Sequence, residues 1–107
     1  MKFEVYKSKG KHYFRLKARN GQTVLTGQGY AARSSCMNGV KSVKTNADTK
    51  SRYERKTSKN GRHMFNLLAA NKQVIGTSQM YKSKASCENG ISAVGRIAKR
   101  AKVVELD

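Results

Sequence analysis

Residues 10–47, GKHYFRLKARNGQTVLTGQGYAARSSCMNGVKSVKTNA, decide the fold, because residues 61–98, GRHMFNLLAANKQVIGTSQMYKSKASCENGISAVGRIA, say them again. At an offset of 51, sixteen of the 38 pairs are identical, among them His12/His63, Phe14/Phe65, Leu16/Leu67, Tyr30/Tyr81, Cys36/Cys87 and Gly39/Gly90. Unrelated sequences of ordinary composition would share roughly two or three. One extra residue near Asn60 shifts the offset to 50 upstream, where Phe3 meets Tyr53 and Glu4 meets Glu54. The chain is a tandem duplication.

Within one copy the period of apolar residues changes once. Lys2 to Lys7 alternates with Phe3 and Val5 on one face, and His12 to Arg19 alternates with Phe14, Leu16 and Ala18 inward. Both are strand patterns. Ser8 to Lys11 reads as a turn, and Asn20-Gly21 is a hairpin signal leading into a third strand, Thr23 to Gln28, whose expected core face is Val24 and Thr26. Beyond Tyr30 the spacing turns helical: Cys36, Val40, Val43 and Ala47 form one stripe, with Ser34 or Ser35 as the expected cap. Gly39 lies on that stripe and costs about 1 kcal/mol against Ala in a helix interior. Its recurrence as Gly90 implies a close approach of helix to sheet or to the other helix.

The second copy follows the same plan. Tyr53 opens its first strand, Phe65, Leu67 and Ala69 supply the core face of the second, and Val74 to Gln79 forms the third. Its helix starts near Ser83 or Ser86, carries Cys87, Ile91, Val94 and Ala98 inward, and is open to continuation through Lys99-Arg100-Ala101-Lys102. The expected fold is α+β: two β-β-β-α repeats, 2–47 and 52–98, related by pseudo-twofold symmetry, with antiparallel sheets packed on helices. A copy of about 50 residues is marginal as an independent core. Residues 1–107 are therefore read as one domain, with residues 99–107 a tail given no place in the repeat.

The pattern NGQTVLTGQGY followed by CMNGVKSVK, with RYERKTSKNGRHMFNLLAANKQVIGTSQMY in the second copy, resembles the YegP-like tandem-repeat family over nearly the whole chain. The resemblance implies a small bacterial cytosolic protein of two β-β-β-α repeats. It brings no catalytic residues, cofactor or ligand with it. The shared residues are shape residues, such as the turn glycines and the helix glycine.

Charge is the strongest compositional feature: 23 Lys and Arg against 6 Asp and Glu, a net charge of +17. Both halves are basic, which favours contact with a polyanion. No apolar run spans a membrane or opens a secretory signal, so a cytoplasmic protein with no membrane partner is expected. Catalytic motifs are absent: no paired carboxylates, no metal-ligand spacing and no phosphate-cradling loop. The two histidines recur by repeat, as a packing role would require. The two cysteines fall on buried stripes, where a thiol is inert, although a bridge between the copies is the alternative. A non-enzyme without metal, cofactor or small-molecule substrate is expected.

Binding remains, most plausibly of nucleic acid with low specificity. The outward face of the central strand reads Tyr13, Arg15, Lys17, Arg19, a row whose spacing of about 6.8 Å per two residues can follow phosphates, with Tyr13 available for stacking. A second basic patch is expected on the helix surface at Lys41, Lys44, Lys99, Arg100 and Lys102. In the second copy the central strand's outward face reads Met64, Asn66, Leu68, Ala70, which suggests a partly covered sheet. The alternative function is a protein interface using Met64 and Leu68.

Overall fold

In the computed structural model, which describes residues 1–106, the first copy forms β1 (Lys2–Ser8), β2 (Lys11–Lys17), β3 (Thr23–Thr26) and α1 (Arg33–Asn46). A single 3-10 turn, Lys50–Arg52, leads into the second copy: β4 (Tyr53–Thr57), β5 (His63–Leu68), β6 (Val74–Thr77) and α2 (Lys84–Ile97). A last strand, β7 (Lys102–Glu105), follows.

The turns account for the one-residue mismatch between copies. Lys9 and Gly10 both have positive φ, 51° and 79°, as a two-residue hairpin twisted like its strands requires. At the equivalent place the extra residue lengthens the loop to Lys59-Asn60-Gly61. The Gly61 N–H there donates to the Ser58 carbonyl, and Gly61 takes φ 80°. The other hairpin is also a three-residue loop in both copies, closed by Ala18 N–H to the Gln22 carbonyl and Ala69 N–H to that of Gln73, both at 2.9 Å.

The six repeat strands and β7 form one sheet, in the order β4-β5-β6-β3-β2-β1-β7. The copies join where Thr26 pairs with Thr77, antiparallel. These are equivalent residues, so the pseudo-twofold axis passes between them, normal to the sheet. The two separate sheets expected from the sequence are therefore halves of a single one. Joining them leaves neither β3 nor β6 as a free edge.

Both helices lie on one face. Each packs on the central strand of its own copy and reaches onto the other copy, α1 on β2, β6 and β5, α2 on β5 and β3. The core between them is one cluster in which Phe3, Phe14, Leu16, Leu25, Cys36, Val43, Phe65, Leu67, Val94 and Ala98 are fully buried. Gly39 and Gly90 sit under the Tyr30 and Tyr81 rings, whose Cζ atoms would lie 2.8 and 2.7 Å from an added Cβ. Helix and sheet thus make the close approach that the recurring glycine implied.

Three local expectations are corrected. The core residue of β3 is Leu25, fully buried, whereas Thr26 is exposed. The register between β2 and β3 slips between Leu16 and Lys17, so Leu25 faces Leu16 and the simple alternation is broken. Neither Ser34 nor Ser35 caps α1: the cap position is Ala32, with no side-chain bond, whereas Ser83 Oγ accepts from Ser86 N–H in α2. Finally, α2 stops at Ile97 and does not continue to Lys102. Residues Lys102–Glu105 pair instead with β1 as a parallel edge strand, Lys2 opposite Lys102 and Val5 opposite Glu105.

Candidate functional site

The face of the sheet opposite the helices is left uncovered, and alternation decides what it shows. From β1 come Lys2, Glu4 and Tyr6, and from β2 Lys11, Tyr13, Arg15 and Lys17. The two-residue turn at Lys9-Gly10 sets the register, pairing Tyr6 with Tyr13, Glu4 with Arg15 and Lys2 with Lys17. The Tyr6 and Tyr13 rings stack with centroids 5.7 Å apart and planes within 19°. The Arg15 guanidinium lies over Tyr6, 4.8 Å from its centroid. Beside Tyr13 and Lys11 stands Gly29, where a side chain would crowd both.

Glu4 lies at the centre of this group, only 6% exposed. Arg15 Nε donates to it at 2.7 Å, and Lys2 and Lys17 Nζ lie at 3.3 and 3.5 Å. The Arg15 hydrogen bond holds the Glu4 carboxyl below the usual carboxylate range, against the upward push of desolvation. One carboxylate against three cations leaves the patch positive and fixes the guanidinium over the ring. Tyr6 and Glu4 were not among the residues expected here. Both lie on the open side of the Lys2–Lys7 alternation, which was the available signal.

Of the expected row, Tyr13, Arg15 and Lys17 share this face, but Arg19 does not extend it. The strand ends at Lys17, and Arg19 is exposed in the loop that follows. The expected helix patch is dispersed. Lys41 is exposed on α1, whereas Lys44 Nζ donates to the Ala101 carbonyl at 3.0 Å and lies 5.8 Å from the Phe3 centroid. Lys99 pairs with Asp48 at 2.5 Å, Arg100 follows the end of α2, and Lys102 opens β7. The cause is the early end of α2, which takes its last basic residues off the helix.

The second copy puts different chemistry on the same face. Asn66, only 8% exposed, accepts from Thr77 Oγ1 at 2.9 Å and donates to Glu54 at 3.2 Å. Met64 and Leu68 are half-buried, as Arg15 is. The expected difference in covering is therefore not found at these positions. Along β2 and β5 the halves differ in chemistry, whereas Glu54 and Lys56 on β4 are more exposed than Glu4 and Tyr6 on β1. Met80 is 48% exposed where the first copy has Gly29.

Of the groups with catalytic potential, His63, Cys87 and Glu88 line one cleft beside β4, where Arg55 holds the Glu88 carboxylate. Cys36 and Cys87 are free and buried, and burial pushes both thiols up. His12 and His63 hold the chain entering each helix, exchanging backbone hydrogen bonds with Tyr30 and Tyr81. Among the described residues no three His, Cys, Asp or Glu side chains are placed to hold a metal ion, and no helix is long and apolar enough to cross a membrane.

The family model "Domain of unknown function (DUF1508)" matches residues 7–54 and again 58–105, with the same spacing as the internal repeat. A "UPF0339 protein in ptx operon 5'region" of Stutzerimonas stutzeri is 54% identical over 105 residues, 97% of this chain and 95% of that protein. YegP of Escherichia coli K12 is 47% identical over 93 residues, 86% and 84% of the two chains. The solution NMR structure of Escherichia coli YegP superimposes with a TM-score of 0.92 at 43% identity, covering 97% of this chain and 90% of that one. The UPF0339 protein of Shewanella oneidensis superimposes equally well, at 0.92 and 43% identity over 98% and 90%. The repeat, the fold and these relatives agree: the chain belongs to the YegP-like family and carries the DUF1508 domain twice.

Proposed function

We propose that this protein is a binding module, not an enzyme, and that it engages single-stranded nucleic acid with low sequence specificity on the open face of β1 and β2. The observation that carries the reading is the Tyr6–Tyr13 stack under Arg15 on a sheet face that no helix covers. An aromatic pair on an open sheet accepts an unstacked base, and base–aromatic stacking contributes about 1–3 kcal/mol per base whatever the base. Lys2, Lys11 and Lys17 on the same face neutralise phosphates as the strand passes. A duplex hides its base faces, so a single strand fits this surface better.

Fluorescence anisotropy with short single-stranded DNA, single-stranded RNA and duplex, at about 50 and 200 mM salt, tests this. Binding of single strands should fall by about 0.7 log unit per contacted phosphate for each log unit of salt. Tyr13→Ala should weaken it with the salt slope unchanged, and Lys11→Ala should lower the slope. Absence of binding at low salt, or binding unmoved by Tyr13→Ala, defeats the proposal. A second reading, a protein interface on the other half of the sheet, is favoured by exposed Met80 and by half-buried Met64 and Leu68 on the open face of β5. It requires binding that is insensitive to salt and lost on Leu68→Lys.

A further inference from the structure

The two outer edges of the sheet are equivalent by repeat but differently finished. On the first copy's edge, β7 lies parallel to β1, and the Leu106 N–H donates to the Val5 carbonyl at 2.8 Å. The Glu105 carboxylate pairs with Arg33 at the start of α1. On the second copy's edge, β4 pairs with β5 alone. Glu54, Arg55, Lys56 and Thr57 are all exposed there.

Beside β4 is a cleft of about 270 Å³ whose lining includes Arg55, Lys56, Thr57, His63 and Lys84. These five are the repeat counterparts of Val5, Tyr6, Lys7, His12 and Arg33, which surround Glu105 and Leu106 on the other edge. The cleft is therefore the open counterpart of the place that the chain's own last strand fills. Lys84 stands where Arg33 takes the carboxylate. Glu88 also lines the cleft, but Arg55 holds it, and no carboxylate lies within ion-pair distance of Lys84 among the described residues.

We propose that the β4 edge binds an extended acidic–apolar peptide segment of a partner protein as an eighth strand, parallel to β4, with a carboxylate seated on Lys84. The required chemistry is that of the segment on the opposite edge, Val103-Val104-Glu105-Leu106: two apolar residues, an acid and a further apolar residue. Addition of a strand to an open edge draws affinity from main-chain hydrogen bonds and specificity from alternate side chains. A second copy is the weaker occupant for two reasons. Two β4 edges would bring Arg55 and Lys56 against their own like charges, and a borrowed β7 would strip β1 of its own partner for no net gain in pairing. This inference does not depend on the nucleic-acid reading, which uses the open sheet face.

The probe is the acetylated peptide Val-Val-Glu-Leu-Asp, titrated to about 1 mM, the weak-binding range, into the isotope-labelled full chain and followed by NMR. The expected result is shifts at Arg55, Lys56, Thr57 and Lys84, with β7 undisturbed. Lys84→Glu should weaken binding at least about fivefold, a change typical of removing one charge-assisted contact, and a peptide with its Glu replaced by Lys should restore it to that variant. Shifts confined to β1 with release of β7, shifts on Tyr6 and Tyr13 instead, indifference to the charge exchange, or no shift at all would each overturn the proposal. So would sedimentation showing that the chain dimerises through β4.

Discussion

Leu25 occupies the space that a side chain at Gly76 would need: an added Cβ there would lie 2.6 Å from Leu25 Cδ2 and 2.7 Å from Cγ. The two positions are repeat-equivalent and lie one residue from the Thr26–Thr77 pair on the pseudo-twofold axis. Two leucines cannot both fit beside the axis. The duplicated chain has resolved this with one large and one absent side chain, so the copies are complementary and not interchangeable.

That complementarity is measurable. Gly76→Ala should destabilise by about 1–3 kcal/mol through overpacking, because fully buried Leu25 has little room to move. Leu25→Ala should cost about 2–5 kcal/mol by opening a cavity. In the double variant the two changes share one space, so its cost in urea unfolding should fall well short of the sum. Additive costs would show that the residues do not compete.

At Gly39 and Gly90 two effects have opposite sign. Helix propensity favours alanine by about 1 kcal/mol, but the Tyr30 and Tyr81 rings fill the space above. Steric overlap of this kind typically costs about 1–3 kcal/mol, so each Gly→Ala change should lower stability. Adding Tyr81→Phe to Gly90→Ala should recover part of the loss, since the hydroxyl is the nearest atom. Stabilisation by either alanine would mean that the rings move aside freely.

Much of this architecture is legible in the sequence because period and repetition agree. The stripe Cys36, Val40, Val43, Ala47 and its counterpart are buried as the spacing requires. The errors lie where one residue breaks a period or where a segment falls outside the expected repeat bounds. Leu25 was missed because a bulge at Leu16/Lys17 reverses the alternation. The strand β7 was missed because Lys102–Glu105 is short and falls outside the expected repeat bounds of 2–47 and 52–98, although the spacing of the two domain matches sets it against residues 51–54. The site was half legible: Tyr13, Arg15 and Lys17 follow from alternation, and a two-residue turn at Lys9-Gly10 would have placed Tyr6 and Glu4 opposite them. What alternation alone could not reveal is that one carboxylate would hold two of the expected cations, Arg15 and Lys17, together with Lys2.

Glu4 therefore links stability to binding. Its folded carboxyl titrates below the unfolded value, so it contributes stability above the ordinary glutamate pKa of about 4.3. That contribution is lost as pH falls through the depressed folded value. Glu4→Gln should lower stability at neutral pH and flatten the decline of stability below about pH 4. If the open face binds a polyanion, the same change should strengthen binding by freeing Arg15, Lys17 and Lys2. A variant less stable at neutral pH yet weaker in binding would separate Glu4's structural role from the proposed interface.

Removal of residues 102–107 tests what β7 does for the edge it covers. Val103 and Val104 are each 37% exposed, so the strand buries little apolar surface and acts chiefly by satisfying the backbone of β1. Its loss should lower stability by about 1–3 kcal/mol and speed amide exchange along β1 far more than along β5, which keeps both neighbours. An uncovered β1 is also a template for pairing with other chains, so the shortened protein should associate with rising concentration while the full chain does not. Arg33→Glu should loosen β7 in the same way but less, with recovery on adding Glu105→Arg. Unchanged exchange at β1 after truncation would mean that the edge needs no cover, and the contrast with open β4 would lose its physical basis.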